Sequence, residues 1–314
     1  MKNFIHTPYK DGIGGVRVGL EPIKESKWLE VDNSFIKEIN KKKELFSTNK
    51  KEVFRETLDS YESQVELLSC IKKYLSEYYP DKYIFDKNQI CININENTLL
   101  LREDSLSPLE IASFLVQEDL LLMLPNEESS YSLGAASLCA PSNWSLQEKF
   151  NNSLLDLHKY VPDYKEKISE RVNKIFLRLD NQRIFERFNW SIYENPDLFQ
   201  PKRSKSDVKR SKKINKDNAG DKLFIRVERQ TIRKLPTSGS VIFTVRVHVT
   251  PLLTIKNDLS RLKDLLMAIE NLDQSIKSYK SLDQIEESVT GWLEDRIKVF
   301  QKSNGLDFQR ETSP

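Results

Sequence analysis

The stretch SVIFTVRVHV (240–249) alternates almost without interruption: Val241, Phe243, Val245, Val247 and Val249 share one face, and Ile242, Thr244, Arg246 and His248 share the other. A side-chain period of two marks a β-strand with two distinct faces. Just upstream, LFIRVERQTI (223–232) alternates as well, with Phe224, Arg226, Glu228 and Gln230 on one side and Ile225, Val227, Arg229 and Thr231 on the other. The connecting RKLPTSG carries the Pro and Gly of a hairpin loop, with Arg233 and Lys234 at the turn. Two long strands joined this way predict an antiparallel sheet. Charges on both faces of the first strand are costly if either face is core. They suit a face that meets an anionic ligand, because Arg pairs well with carboxylates, and they also suit a ladder of surface salt bridges.

Working outward, helical periodicity flanks this sheet on both sides, so the fold class is α+β. Residues 1–30 read as an extended arm with a short strand candidate at VRVGL (16–20). From Ser34 to about Tyr79 the pattern is helical, with a break near Leu58–Ser60 and a stop at Pro80. YIF (83–85), QICINI (89–94) and TLLLR (98–102) read as strands, the last two joined by the turn NENT. SPLEIASFL (107–115) is a short helix with Pro in its first turn. VQEDLLLML (116–124) and SYSLGAASLCA (130–140) read as two further strands. Helical patterning returns over Leu146–Leu157 and over 163–180. The Lys-, Arg- and Ser-rich stretch 201–222 reads as a mobile basic loop. It lacks the interleaved aromatics that stack on bases, so nucleic acid is not an expected partner. From about Asn257 the chain is helical again, ending in a helix near 282–300.

The chain has 314 residues, enough to bury a core without staples. Its 49 basic and 47 acidic side chains nearly balance, so no general attraction to nucleic acid or anionic membrane is expected. The longest apolar run, Leu120–Leu124, is far short of a membrane span, and the N-terminus has no apolar signal region. Cys70, Cys91 and Cys139 are odd in number and sit in apolar contexts, which suits free thiols in a reducing compartment; the expected location is cytoplasmic. Three cysteines cannot hold a four-thiolate iron–sulphur cluster, and there is no HExxH, GxGxxG or P-loop.

Only three histidines are available for chemistry. His6 lies in the extended arm and reads as exposed; His248 lies on the polar strand face and reads as a surface histidine. His158 follows a short amphipathic helix in LLDLHKYVPDY, and Pro162 fixes Val161 as extended, which can hold a ring rigidly. From spacing alone it reads first as a structural histidine. Between the apolar runs, Gln117, Glu118 and Asp119 read either as a helix-to-strand turn with surface acids or as a strand start with one carboxylate toward the interior, where it could bind an amine or relay a proton.

Six blocks taken together, WLEVDNSF (28–35), LVQEDLLLM (115–123), AASLCAPSNWSLQEKF (135–150), LHKYVPDY (157–164), FNWSIYENPDLF (188–199) and RVERQTIRKLPTSGSVIFTVR (226–246), resemble in order the signature blocks of the haem-dependent oxidative N-demethylase α-subunit family. The resemblance runs over most of the chain. It implies a PAS-like antiparallel sheet with flanking helices and helical extensions at both ends. The corresponding division is 1–80 as arm and helices, 81–255 as haem-binding core, and 256–314 as C-terminal helices.

The activity implied is oxidative N-demethylation of a small secondary amine, dimethylamine-like, using dioxygen and releasing formaldehyde. Electrons would come from a separate flavin and iron–sulphur reductase subunit, and formaldehyde would pass to a tetrahydrofolate-dependent partner. The family pattern of a histidine before a VP segment falls on His158 with Val161–Pro162, making His158 the expected axial ligand of a haem b. Lys159-Tyr160 departs from the small residues usual between them, and the family usually has an aromatic where this chain has His248.

Haem also needs an apolar slot and cations for its propionates. Phe114, Leu122, Phe243 and Val245 are the slot candidates; Lys149, Arg226, Arg229 and Arg233 are the cation candidates; Glu118, Asp119 and Glu228 could anchor the amine. Two other readings stand beside this one: a non-enzymatic haem or gas-binding PAS-like sensor module, since fold does not fix function, and an interaction protein acting through the basic stretch 201–216.

Overall fold

A computed structural model describes residues 5–13, 19–87, 89–94, 96–104, 106–126, 130–157, 175, 176 and 178–303. The sheet strands within it are β1 (Glu21–Ile23), β2 (Phe54–Glu56), β3 (Tyr83–Phe85), β4 (Gln89–Ile94), β5 (Asn97–Arg102), β6 (Asp119–Pro125), β7 (Tyr131–Ser137), β8 (Ile184–Tyr193), β9 (Phe224–Lys234) and β10 (Val241–Pro251). Seven form one antiparallel sheet in the order β1-β8-β9-β10-β6-β7-β2, and β3-β4-β5 form a small separate sheet. The fold is therefore α+β around a large antiparallel sheet. The expected hairpin is its centre: β9 and β10 pair from Lys234↔Val241 to Phe224↔Pro251.

Both faces of this sheet are covered by protein. Leu120, Leu122 and Leu124 of β6 and Ile242 of β10 face the helices Phe35–Thr48, Tyr61–Tyr78 and Pro108–Leu115, together with the small sheet. Leu121 and Met123 of β6, Ile232 of β9, and Val241, Val245 and Val247 of β10 face the other way, toward Leu146, Leu154 and Phe176. A third core packs Trp190, Ile192, Ile225 and Val227 against the C-terminal helices Leu259–Glu270 and Glu286–Ser303 through Leu262, Leu265 and Trp292. Because β6 is buried on both faces, Leu120–Leu124 shows an unbroken apolar run instead of alternation.

Local chemistry explains the helix ends that frame the sheet. Ser107 and Glu110 form a capping box around Pro108, which opens Pro108–Leu115. At the other end the buried ammonium of Lys42 donates to the carbonyls of Ser113 (3.2 Å), Val116 (3.0 Å) and Glu118 (2.5 Å). It satisfies carbonyls that a helix leaves open, and its charge suits that end of the dipole.

Several sequence expectations need revision. The helical stretch 34–79 is interrupted by β2, whose three residues are too few to show a period. β8 carries no clean alternation, so the sequence does not mark it as a strand. Leu146–Leu157 is two short helices, Leu146–Lys149 and Leu154–Leu157, separated at Asn151 with φ +61°. The stripe over 163–180 lies mostly outside the described residues, and so does VRVGL apart from Gly19 and Leu20.

The stretch 201–222 is not an unbroken loop. It holds the helices Lys205–Ser211, opened by a Ser204–Asp207 capping box, and Ala219–Lys222. Arg203 pairs with Glu194 at 2.6 Å, and Gly220 passes so close to Trp292 that a Cβ there would lie 2.6 Å from the indole nitrogen. Low apolar content hid these anchors. Cys70, Cys91 and Cys139 are free thiols, Cys139 buried and the others partly so. Among the described residues no helix is long and apolar enough to cross a membrane.

Candidate functional site

The sheet face that carries Leu121, Met123 and Val245 borders a cavity of about 400 Å³. That is within the size range of small-molecule and cofactor sites. Opposite the strands it is closed by Leu154, Leu157, Ile175 and Phe176. Trp144, Leu138 and Ala140 complete the apolar wall beyond the end of β7.

The polar end is built by β8 and β9. Alternation along β9 points Glu228, Gln230 and Ile232 into the cavity, and alternation along β8 does the same for Arg187, Asn189, Ser191 and Tyr193. Glu228 is the hub. Its carboxylate accepts from the Ser142 hydroxyl, from Gln230 Nε2 at 2.9 Å and from Asn189 Nδ2 at 3.4 Å. Lys280, from the C-terminal helices, enters behind it and donates to Asn189 Oδ1 at 2.7 Å and the Trp190 carbonyl at 2.5 Å. Burial pushes the Lys280 ammonium down to about 8, with Glu228 resisting and Arg187 adding to the shift. Tyr193 accepts from Asn143 Nδ2 at 3.1 Å, and burial pushes its phenol up to about 12, so it is neutral. Lys149 lies 5.7 Å over the Trp144 ring and donates to the Leu157 carbonyl.

Two buried charges frame this cavity. Asp119 Oδ1 and Oδ2 accept from the backbone N–H groups of Cys139 (2.7 Å) and Ala140 (2.8 Å). Burial pushes its carboxyl up to about 6, opposed by Lys42 and these two N–H groups. Arg226 is 1 % exposed. Its guanidinium donates to the carbonyls of Ala140 (2.9 Å), Pro141 (3.2 Å), Asp197 (3.1 Å) and Leu198 (2.9 Å), and its Nε to Ser142 Oγ at 2.9 Å. It therefore ties the segments 140–142 and 197–198 to β9.

The remaining candidates are on the opposite face. Arg229 pairs with Glu186 at 2.9 Å and donates to the carbonyls of Trp28 and Lys27. Arg233 pairs with Glu25 at 2.5 Å and lies 4.4 Å over the Trp28 ring. Glu118 accepts from the Glu30 backbone N–H at 2.8 Å; burial raises its carboxyl, with Arg246 opposing. Phe114 packs on Phe46 at 4.8 Å, and Leu122 lies in that same core, so neither reaches the cavity, whereas Phe243 and Val245 line it.

His6 and His248 are not surface histidines. Their Nε2 atoms lie 2.9 and 2.8 Å from the two oxygens of buried Glu30. Burial raises the Glu30 carboxyl, but hydrogen bonds from His248 and His6 and the nearby Arg229 outweigh it and hold it at about 2. His158 lies outside the described residues.

Of the expected site residues, the fold thus gathers Lys149, Asp119, Glu228, Phe243 and Val245 around one cavity, with Arg226 bracing it. Lys280, Asn189, Arg187 and Ser142 were not foreseen. The FNWSIY block could have flagged Asn189, but Lys280 carries no local signal and joins through tertiary packing alone. A family model described as "Haem-dependent oxidative N-demethylase, alpha subunit-like" matches residues 19–290, most of the chain.

Proposed function

The chain belongs to the haem-dependent oxidative N-demethylase, alpha subunit-like family, and from that premise we propose that the cavity beside Val245 binds haem b and a small secondary amine of the dimethylamine kind. The reading treats the seven-stranded sheet as an elaborated PAS-like sheet. The observation that carries it is the cavity's division into an apolar slot and a polar end centred on one carboxylate, Glu228.

The residues present suit a haem. Leu121, Met123, Val245 and Phe176 offer an apolar slot, and Lys149 and Arg187 put cations on its border for propionates. Leu157 lines the cavity and immediately precedes His158, the expected axial ligand. Arg226, Arg229 and Arg233 are assigned no propionate: the first is committed to four carbonyls and the other two sit across the sheet. Haem, when bound, supplies the redox chemistry that activates dioxygen.

The chain's own residues bind and orient the amine. Glu228 receives the ammonium, held in place by Ser142, Gln230 and Asn189. Tyr193 and Trp144 add aromatic faces that favour a methylated cation. Lys280 holds the Asn189 amide oxygen and so fixes the Nδ2 that donates to Glu228. The apolar wall excludes water from the methyl group being oxidised. Dimethylamine, dioxygen, two electrons and two protons give methylamine, formaldehyde and water. As the family resemblance implies, the electrons come from a separate flavin and iron–sulphur subunit. Hand-off of formaldehyde to a tetrahydrofolate-dependent partner completes the proposed assembly.

The test is formaldehyde release from the reduced, haem-loaded protein with dimethylamine and dioxygen. Turnover in the wild type and its loss in Glu228→Gln with an unchanged Soret band support the proposal. A normal Soret band with no formaldehyde from any small methylamine, given a competent donor, overturns the enzyme reading in favour of a gas-binding module.

A further inference from the structure

On the sheet face away from the cavity, three side chains from three separate segments meet. His6 comes from the N-terminal arm, Glu30 from the segment that leads into the helix Phe35–Thr48, and His248 from β10. One ligand atom from each lies within 4.8 Å of the others. The imidazole Nε2 atoms approach different oxygens of the same carboxylate, at 2.9 and 2.8 Å. The imidazole centroids are 5.0 Å apart.

We propose that His6, Glu30 and His248 form a binding site for one divalent transition-metal ion of the zinc class. Two imidazoles and one carboxylate make a mixed nitrogen and oxygen set that suits zinc. In a tetrahedral zinc site, ligand atoms lie about 3.3 Å apart, from bond lengths near 2.0–2.1 Å. The two present contacts open by about half an ångström to reach that spacing, while the widest ligand pair, within 4.8 Å, closes by at most about 1.5 Å. Three protein ligands leave a fourth position for water.

The surroundings fix the ligands, as metal sites require. The Glu30 backbone is pinned by its N–H bond to Glu118 Oε1 at 2.8 Å. Arg229 Nε stands 3.5 Å from Glu30 Oε1, and its charge is balanced by Glu186 at 2.9 Å, so the cluster keeps a net negative charge for a cation. Phe188 packs on the His6 ring at 4.9 Å. The side chains are 19 %, 6 % and 12 % exposed, which leaves an entry path from solvent. An ion here would clamp the arm at His6 to the central strand β10, adding to the ring contacts of His6 with His248 and of Tyr9 with Trp190. The site is independent of the haem reading.

The experiment is equilibrium dialysis of the tag-free full chain, as purified, against zinc sulphate, with metal content read by mass spectrometry and thermal unfolding measured in parallel. Wild type is expected to retain one zinc per chain and to unfold at higher temperature with zinc present. His6→Gln and His248→Gln each keep an N–H for Glu30 but lose the imidazole ligand. Each is expected to bind zinc at least tenfold more weakly and to lose the zinc-dependent rise. Wild type retaining no more zinc than the His6→Gln/His248→Gln double variant overturns the proposal and leaves a hydrogen-bonded strut. So does equal zinc affinity in the single variants and the wild type.

Discussion

Replacing Arg226 with methionine should destabilise the protein by about 3–5 kcal/mol, the usual range for removing one partner from a buried charged network. The magnitude follows from what the guanidinium holds. The carbonyls of Ala140, Pro141 and Leu198 and the Ser142 hydroxyl lose this donor together, while the carbonyl of exposed Asp197 keeps Gln200 Nε2 at 2.6 Å. A stranded buried acceptor costs about 1 kcal/mol at the low end, so these three carbonyls alone account for about 3 kcal/mol. Loss of the charged-donor bonds adds to this, while relief of the guanidinium's own desolvation offsets part of it. Methionine refills most of the volume, so a cavity contributes little. For a chain this long the Tm should fall by about 6–10 °C, at roughly 2 °C per kcal/mol. Urea unfolding followed by tryptophan fluorescence measures the loss. Arg226→Lys should fall between wild type and Arg226→Met, since an ammonium reaches fewer of these acceptors at once. A loss under about 1 kcal/mol for Arg226→Met would refute the view that this side chain holds segments 140–142 and 197–198 against β9.

Three further outcomes are expected. Glu228→Gln should lower kcat/KM for the amine by about 10–100-fold, the worth of one charge-assisted hydrogen bond; formaldehyde release against amine concentration measures it, and an unchanged kcat/KM assigns the ammonium elsewhere. Asp119 sits at about 6 when folded and near 3.8 when unfolded, so the folded chain binds its proton more tightly. Wild type should therefore gain about 1.4 kcal/mol over Asp119→Asn as pH falls from 7.5 to 5, because the group protonates through its folded pKa while the unfolded chain stays ionised. Paired urea titrations at the two pH values test this, and a flat or opposite difference contradicts it. Arg246→Met removes the cation 2.8 Å from Asp32 and 2.7 Å from Glu38. Buried Asp32 and half-buried Glu38 then lose their counter-charge, and a loss of about 3–5 kcal/mol is expected by thermal or urea unfolding.

The centre of the fold was legible because β9 and β10 alternate over their whole length and their loop carries turn residues. β6 was legible for the opposite reason: a run of apolar residues is what burial on both faces requires. β2 and β8 were not, because a three-residue strand has no period and β8 mixes aromatic and charged residues on both faces. The site was half legible. Glu228 and Lys149 stand in blocks that resemble a known family, but local alternation cannot say which charged face meets a ligand and which meets protein. Arg226 and Arg229 were interchangeable in the sequence. In the structure one braces the cavity and the other pairs across the sheet with Glu186. His6 and His248 read as surface residues because their partner, Glu30, is 24 residues from one and 218 from the other.

The central proposal is that this chain holds a haem through His158, and the visible absorption spectrum tests it most directly. Wild type titrated with haem should develop a Soret band that saturates at one haem per chain, and His158→Ala should lose that band or bind haem at least tenfold more weakly. A wild type that stays colourless after titration, or a His158→Ala protein with the same band and affinity, contradicts the account.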